Sequence, residues 1–287
     1  MPAATTHLEF AKDVLRTDEE FAITIKNKQM FYIGSQGPDL LFFTGASILP
    51  GSLKKFGNQM HEEHVREVID FFERYALGDA DLMSYFAGYL CHYALDSIMH
   101  PLVYSVTAEN LKKLSCSESE EHVRLEAEID VWMLHQRGRI IQDYDVWNYL
   151  CLSDNDRLKL AKMYRQMFLE ILHLDISLNR FYKGFKEIGI WTKVIRPRKN
   201  FYTFANHAEN LIHNHTFTAM MLYNKKAGPI INLDHKSYTI PWEPHDTISA
   251  SVPQLYGKAH TRAHELLQNH SSANILLDFK GEPLDHN

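Results

Sequence analysis

The stretch DLMSYFAGYLCHYALDSIMH, residues 81–100, decides how the rest of the chain is read. It is apolar nearly all round and shows no alternation of period two, so it predicts a helix buried at the centre of an α-helical protein. Pro101 follows it directly. Proline lacks an N–H and disfavours α geometry at the preceding residue, which predicts that the helix ends or kinks at His100. Within this apolar helix, His92, Asp96 and His100 recur at four-residue spacing. Four residues advance about 400°, so the three side chains form one stripe drifting by about 80°. At about 1.5 Å rise per residue, neighbours stand roughly 6 Å apart and the outer pair roughly 12 Å. Metal–ligand bonds near 2.0–2.2 Å let neighbouring residues share an ion but separate the two histidines. The stripe therefore predicts at least two ions, with Asp96 placed to bridge them. A single histidine on a buried helix is ordinarily a hydrogen-bonded core residue. Three ionisable groups on one stripe are expensive to bury unpaired, and a metal is the economical partner.

Outward from this helix, three- and four-residue apolar spacing dominates, so the expected fold class is all-α, a single-domain multi-helix bundle over residues 1–287. Thr5 or Thr6 is placed to cap a first helix reaching about residue 15, with His7 in its first turn. Gly34, Gly37, Pro38, Gly45 and Pro50 mark residues 31–50 as a loop with apolar anchors at Leu40, Leu41 and Phe42. Helices are expected over about 58–76, 118–135, 153–182, 200–224 and 253–270. A Pro- and Gly-rich loop is expected over about 226–252. The metal-site core is placed at 5–135 and a helical C-terminal half at 153–287.

Composition narrows the function. Apolar residues make up 45% and charged residues 23%, an ordinary globular balance. The formal net charge of −6 supplies no basic field for nucleic acid, so no specific nucleic-acid binding is expected. Histidine, the commonest biological metal ligand, is abundant at 17 residues. Cys91, Cys116 and Cys151 form no CxxC pair and read as reduced thiols. Neither a leader-like N-terminus nor an uninterrupted apolar run of spanning length is found, which predicts a cytoplasmic protein with at most peripheral membrane contact.

Further ligand candidates flank the stripe. His122 and Glu126 repeat the i, i+4 spacing on a predicted helix, beside Glu120, Glu121 and Glu128 that would otherwise mark a solvated face. Upstream stand His7, Asp39 in GSQGPDLLFF, and His61 with His64 in MHEEHVREV. The order His7 … Asp39 … His61 … His92-x3-Asp96-x3-His100 … His122-x3-Glu126 resembles the bacterial zinc-dependent phospholipase C family. That family shares an all-α, multi-zinc fold with single-strand-specific zinc nucleases. The text GYLCHYALDSIMHPLVY looks most like the branch containing glycosylphosphatidylinositol-specific phospholipase D.

The resemblance implies zinc, two or three divalent ions in all. It implies that Asp39, His61, His92 and Asp96 hold one ion, and His100, His122 and Glu126 a second. A third would be bound by His7 and Asp96 with the amine and carbonyl of an N-terminal Trp, whereas this sequence reads Met1-Pro2 there. The implied chemistry is hydrolysis of a small-molecule or lipid phosphate ester by metal-activated water, with Asp39 as general base or water orienter. Phe31, Tyr32 and residues 40–43 are expected to serve core packing ahead of lining a substrate mouth. A nuclease or phosphomonoesterase using the same metals, or a non-catalytic metal-stabilised protein, is the alternative. His245-Asp246 lacks helical partners for a His–Asp phosphohydrolase site, and no repeated ExxH helices suggest a di-iron bundle.

Overall fold

The computed structural model describes residues 4–44, 52–140, 146–194, 199–223, 225–269 and 271–284. Twelve α-helices appear among them: α1 (Ala4–Thr17), α2 (Glu19–Thr24), α3 (Lys28–Gly34), α4 (Lys54–Glu62), α5 (Val65–Ala76), α6 (Ala80–Leu111), α7 (Glu118–Gln136), α8 (Asp154–Glu170), α9 (Leu178–Val194), α10 (Lys199–Ile212), α11 (Thr216–Met220) and α12 (Val252–Gln268). One antiparallel hairpin, β1 (Tyr238–Ile240) and β2 (Glu243–Ile248), is the only paired sheet among the described residues. The architecture is all-α, as the periodicity predicts.

The quoted stretch forms α6, and α6 is the axis of the molecule. Helices α1, α3, α5, α7 and α12 all pack against it. Tyr85, Tyr89 and Tyr93 on α6 are fully buried among Phe72 of α5, Tyr164 of α8 and Phe279. One hydrophobic cluster runs from Phe10 to Phe279. No described helix is long and apolar enough to cross a membrane.

Several boundaries differ from expectation, each for a physical reason. Helix α6 does not end at His100 but continues through Pro101 to Leu111. An interior proline costs about 3 kcal/mol. Leu102, Val103 and Val106 beyond it are buried, each stabilising by about 1.5–3 kcal/mol, so packing outweighs the lost hydrogen bond. The first helix is not capped by its own Thr5 or Thr6. Both lie inside α1, where their backbone N–H groups donate to the Asp130 carboxylate of α7, at 3.4 and 2.8 Å. The Thr6 hydroxyl donates to the same carboxylate at 2.6 Å.

The expected loop 31–50 is helical where it is described. Its residues 31–34 belong to α3, and Gly37–Phe43 form a 3₁₀ turn with Pro38 at its start. Gly45 and Pro50 lie outside the described residues. The expected 58–76 helix is broken at His64, whose φ of 57° is left-handed. The 153–182 stretch folds back at 171–177, so that Phe181 and Phe185 of α9 pack on Tyr164 and Phe168 of α8. The 200–224 stretch divides into α10 and α11. The 226–252 loop holds the hairpin, with Tyr238 opposite Ile248 and Thr239 opposite Thr247.

Candidate metal centre

Four elements converge on the middle of α6, around residues 92–100. Helix α1 supplies His7, the 3₁₀ turn Asp39, α4 His61, α6 the stripe His92, Asp96 and His100, and α7 His122 and Glu126. Asp96 is the hub. Its Oδ1 lies 3.1 Å from His7 Nε2 and 3.9 Å from His100 Nε2. Its Oδ2 lies 2.9 Å from His92 Nε2 and 3.8 Å from His61 Nε2. Each oxygen thus faces a different part of the stripe, the disposition a bridging carboxylate requires. His61 Nε2 is also 3.2 Å from Asp39 Oδ1. On the far side, Glu126 Oε1 stands 3.3 Å from His100 Nε2 and 3.2 Å from His122 Nε2.

The ligand atoms fall into three groups: His7, His92 and Asp96; Asp39, His61 and His92; and His100, His122 and Glu126. His92 and His100 sit in different groups, as the helix geometry requires. All eight residues singled out in the sequence are therefore together. His64 is not. It sits at the left-handed break with its side chain half-exposed, 3.9 Å from Glu67. His245 and Asp246 are exposed on β2. Met1 and Pro2, which stand where the resemblance would have an N-terminal Trp, lie outside the described residues.

Backbone carbonyls set the chemistry of the rings. His61 Nδ1 donates to the Gly57 carbonyl (2.7 Å), His92 Nδ1 to the Ser35 carbonyl (3.1 Å) and His100 Nδ1 to the Phe279 carbonyl (2.6 Å). A carbonyl only accepts, so each Nδ1 carries its proton. In the neutral ring each Nε2 then presents a lone pair, and each faces carboxylate oxygens that are themselves acceptors. Lone pair against lone pair repels unless a proton or a cation lies between. His92 Nε2 is the plainest case: it is wholly buried without a hydrogen-bond partner, although Asp96 Oδ2 is 2.9 Å away. This nitrogen and oxygen donor set suits zinc and other borderline divalent ions, and the bonded Nδ1 groups supply the outer hydrogen bonds that metal-ligating histidines ordinarily have. The residues fit a metal cluster.

The titration behaviour agrees with this. Burial alone would raise the Asp96 carboxyl, but His100, His92 and His7 hold it well below the usual range. Burial would likewise raise Glu126, which His122 and His100 hold well below. Against the lowering effect of its own burial, His100 is pushed up to about 9 by Asp96 and Glu126. Without metal, a proton on His100 takes a position that a cation would otherwise occupy.

Gly37 makes the approach possible. Its φ is +52°, and a Cβ there would lie 2.2 Å from His92 Cδ2. Above the cluster opens a cleft of ≈ 590 Å³, with Asp39, Asp96 and Glu126 among its lining residues. Phe42, stacked on His61 at 6.0 Å, and Tyr104, 4.7 Å from His122, form apolar walls. Phe31, Leu40 and Leu41 are core residues, so of the expected apolar anchors only Phe42 reaches the cleft. Lys54 and Lys280 line it together with Glu62 and Glu118, and Lys280 Nζ pairs with Glu62 Oε1 at 2.6 Å. The carbonyl partners, Asp130, Tyr104 and Lys280 were not legible as site residues in the sequence. A backbone carbonyl has no sequence signature, and Lys280 lies far along the chain.

The family model described as zinc dependent phospholipase C matches residues 6–190 of the chain, a span that contains all eight residues. No curated protein and no solved structure matches it.

Proposed function

We propose that this chain, which belongs to the zinc-dependent phospholipase C family, is a phospholipase C-like phosphodiesterase that hydrolyses a lipid or small-molecule phosphate ester at a cluster of two or three divalent ions. The observation that carries the proposal is the convergence of five imidazoles and three carboxylates below an open cleft, with Nε2 lone pairs aimed at carboxylate oxygens. In this reading Asp39, His61 and His92 hold one ion, and His100, His122 and Glu126 a second. Asp96 links the two, and His7 with Asp96 contributes to a third. Bound zinc supplies an activated water and neutralises charge that builds on the phosphoryl oxygens.

The chain's own residues do the remainder. The Gly57, Ser35 and Phe279 carbonyls hold three rings in one tautomer, so that no reorientation accompanies binding. Asp39 lines the cleft within 3.2 Å of His61 Nε2, where it can orient the attacking water and accept its proton. Phe42 and Tyr104 exclude bulk water from the floor and offer apolar surface to the alcohol part of the ester. Lys54 brings an ammonium that favours an anionic substrate at the mouth, while Lys280 is paired with Glu62 at 2.6 Å.

The test is hydrolysis by zinc-loaded protein of phosphatidylcholine, phosphatidylinositol derivatives, bis-p-nitrophenyl phosphate and single-stranded nucleic acid. Turnover of a phospholipid, releasing diacylglycerol and a phosphorylated headgroup, supports the proposal. Turnover of nucleic acid or of phosphomonoesters alone replaces it with the corresponding activity. No turnover of any substrate by fully loaded protein assigns the metals a structural role.

A further inference from the structure

The residues after α12 return across the molecule to the metal centre, and they lie beyond residue 190, where the family match ends. Their path is heavily anchored. Arg66 Nε of α5 donates to the Ile275 carbonyl at 2.7 Å, and the Tyr93 hydroxyl of α6 donates to the Leu277 carbonyl at 2.9 Å. Leu277 and Pro283 form an antiparallel bridge, and the Leu284 N–H donates to the Leu276 carbonyl at 2.9 Å. Between them the chain makes a tight turn held by one side chain. Asp278 Oδ1 accepts from the backbone N–H groups of Lys280 (2.8 Å) and Glu282 (2.9 Å). Gly281, at φ +83°, lies where a Cβ would come within 2.6 Å of both the Ser97 carbonyl oxygen and the Pro101 ring. The turn is thus seated against α6 at its interior proline.

This turn delivers one residue into the centre. The Phe279 N–H donates to the His61 carbonyl at 3.0 Å, and the Phe279 carbonyl accepts from His100 Nδ1 at 2.6 Å. Its fully buried ring lies 5.2 Å from that of His61 and 5.6 Å from that of His92. The other two carbonyls that orient histidines belong to nearby structure. Gly57 is on the same helix as His61, and Ser35 caps α3, which packs on α6. The carbonyl for His100 comes from 179 residues away. Tyr104 of α6 contacts the His100 ring at 5.6 Å, but among the described residues the acceptor seen for its Nδ1, which turns Nε2 toward Asp96 and Glu126, is the Phe279 carbonyl.

We infer that residues 277–284 form a positioning arm of the metal centre, in which Phe279 sets the His100 imidazole and thereby the affinity of the His100–His122–Glu126 group for its ion. The inference rests on that group being a metal site. The arm acts through an outer hydrogen bond, and loss of such bonds typically weakens metal binding by about 10- to 100-fold. The larger effect should fall on that ion, because the His61 and His92 rings keep their own carbonyl acceptors and share with Phe279 only ring packing and the His61 backbone carbonyl.

The experiment compares the full-length wild-type protein with Asp278→Ala, Asp278→Asn and Gly281→Val. Each is stripped with chelator, and zinc binding is followed by competition with a chromophoric chelator and by metal analysis. Cobalt(II) absorption reports the ligand field. Asp278→Ala removes the acceptor that shapes the turn, Asp278→Asn keeps an oxygen there, and Gly281→Val pushes the turn off Pro101. The expected result is one ion weakened by about 10- to 100-fold in Asp278→Ala and Gly281→Val and the other much less, with a changed cobalt spectrum. Asp278→Asn should restore binding, and circular dichroism should show Asp278→Ala folded. Equal weakening of both ions, equal weakening in Asp278→Ala and Asp278→Asn, or unchanged binding in folded Asp278→Ala overturns the inference. A wild-type protein that binds no ion through His100 and His122, tested with His122→Ala, overturns instead the reading on which it rests.

Discussion

Asp96→Asn is the sharpest perturbation of this centre, because one carboxylate faces four imidazoles between 2.9 and 3.9 Å. The substitution keeps the size and one oxygen but removes the negative charge and one ligand atom. At the effective dielectric of such sites, two unit charges 4 Å apart interact by about 4 kcal/mol, and a bridging group acts on two ions. A loss of about 100-fold in affinity for each of two ions corresponds to about 2.7 kcal/mol per ion. Free zinc at 100 times Kd stabilises the folded protein by about 2.7 kcal/mol per site. Two sites at that concentration amount to about 5 kcal/mol, or roughly 10 °C or more in Tm for a chain of this size. The assay is thermal melting in chelator and in zinc, paired with metal analysis after dialysis. Wild type should show the full shift. In Asp96→Asn most of the shift should disappear, together with bound zinc and any phosphodiesterase activity. An Asp96→Asn protein with wild-type zinc content and the full shift would refute both the bridging role and the site built around it.

Other outcomes follow from neighbouring groups. His100, pushed up to about 9, holds a proton in the metal-free protein at neutral pH that zinc must displace. Zinc affinity should therefore rise with pH until about 9, with proton release measurable by calorimetry in buffers of different ionisation enthalpy. The same raised pKa means that the protonated His100 stabilises the metal-free fold fully below about 6.5, a contribution lost as pH rises through about 9. Gly37→Ala forces a Cβ into the His92 ring at a left-handed backbone position. It should lower Tm in chelator and reduce bound zinc, read by metal analysis. Asp130, pushed up to about 7 by burial, favours the folded state most when protonated, and that stability is lost as pH rises from about 4 through 7. Asp130→Asn should flatten the dependence of Tm on pH across that window, an effect on the order of 4 kcal/mol in wild type.

Much of this protein was determined by sequence alone. The apolar surround of residues 81–100 made a buried helix unavoidable, and four-residue spacing put His92, Asp96 and His100 on one stripe whatever packed around them. Both follow from helix periodicity, a local property. The same logic put His122 and Glu126 on one face of α7. Locality also explains the errors. Pro101 signals a helix end or a kink by local rules, and the end is overridden because burial of Leu102, Val103 and Val106 carries α6 past it. Thr5 and Thr6 look like caps, yet the groups that satisfy the start of α1 belong to Asp130, on another helix. For His92 and His100, which ring nitrogen faces the cluster was decided only by tertiary structure, through the carbonyls of Ser35 and Phe279, whereas His61 uses the Gly57 carbonyl one turn back on its own helix. The stripe needed only the pitch of a helix. The aim of its rings required backbone acceptors, and the one that serves His100 lies 179 residues away, where no spacing in the sequence can announce it.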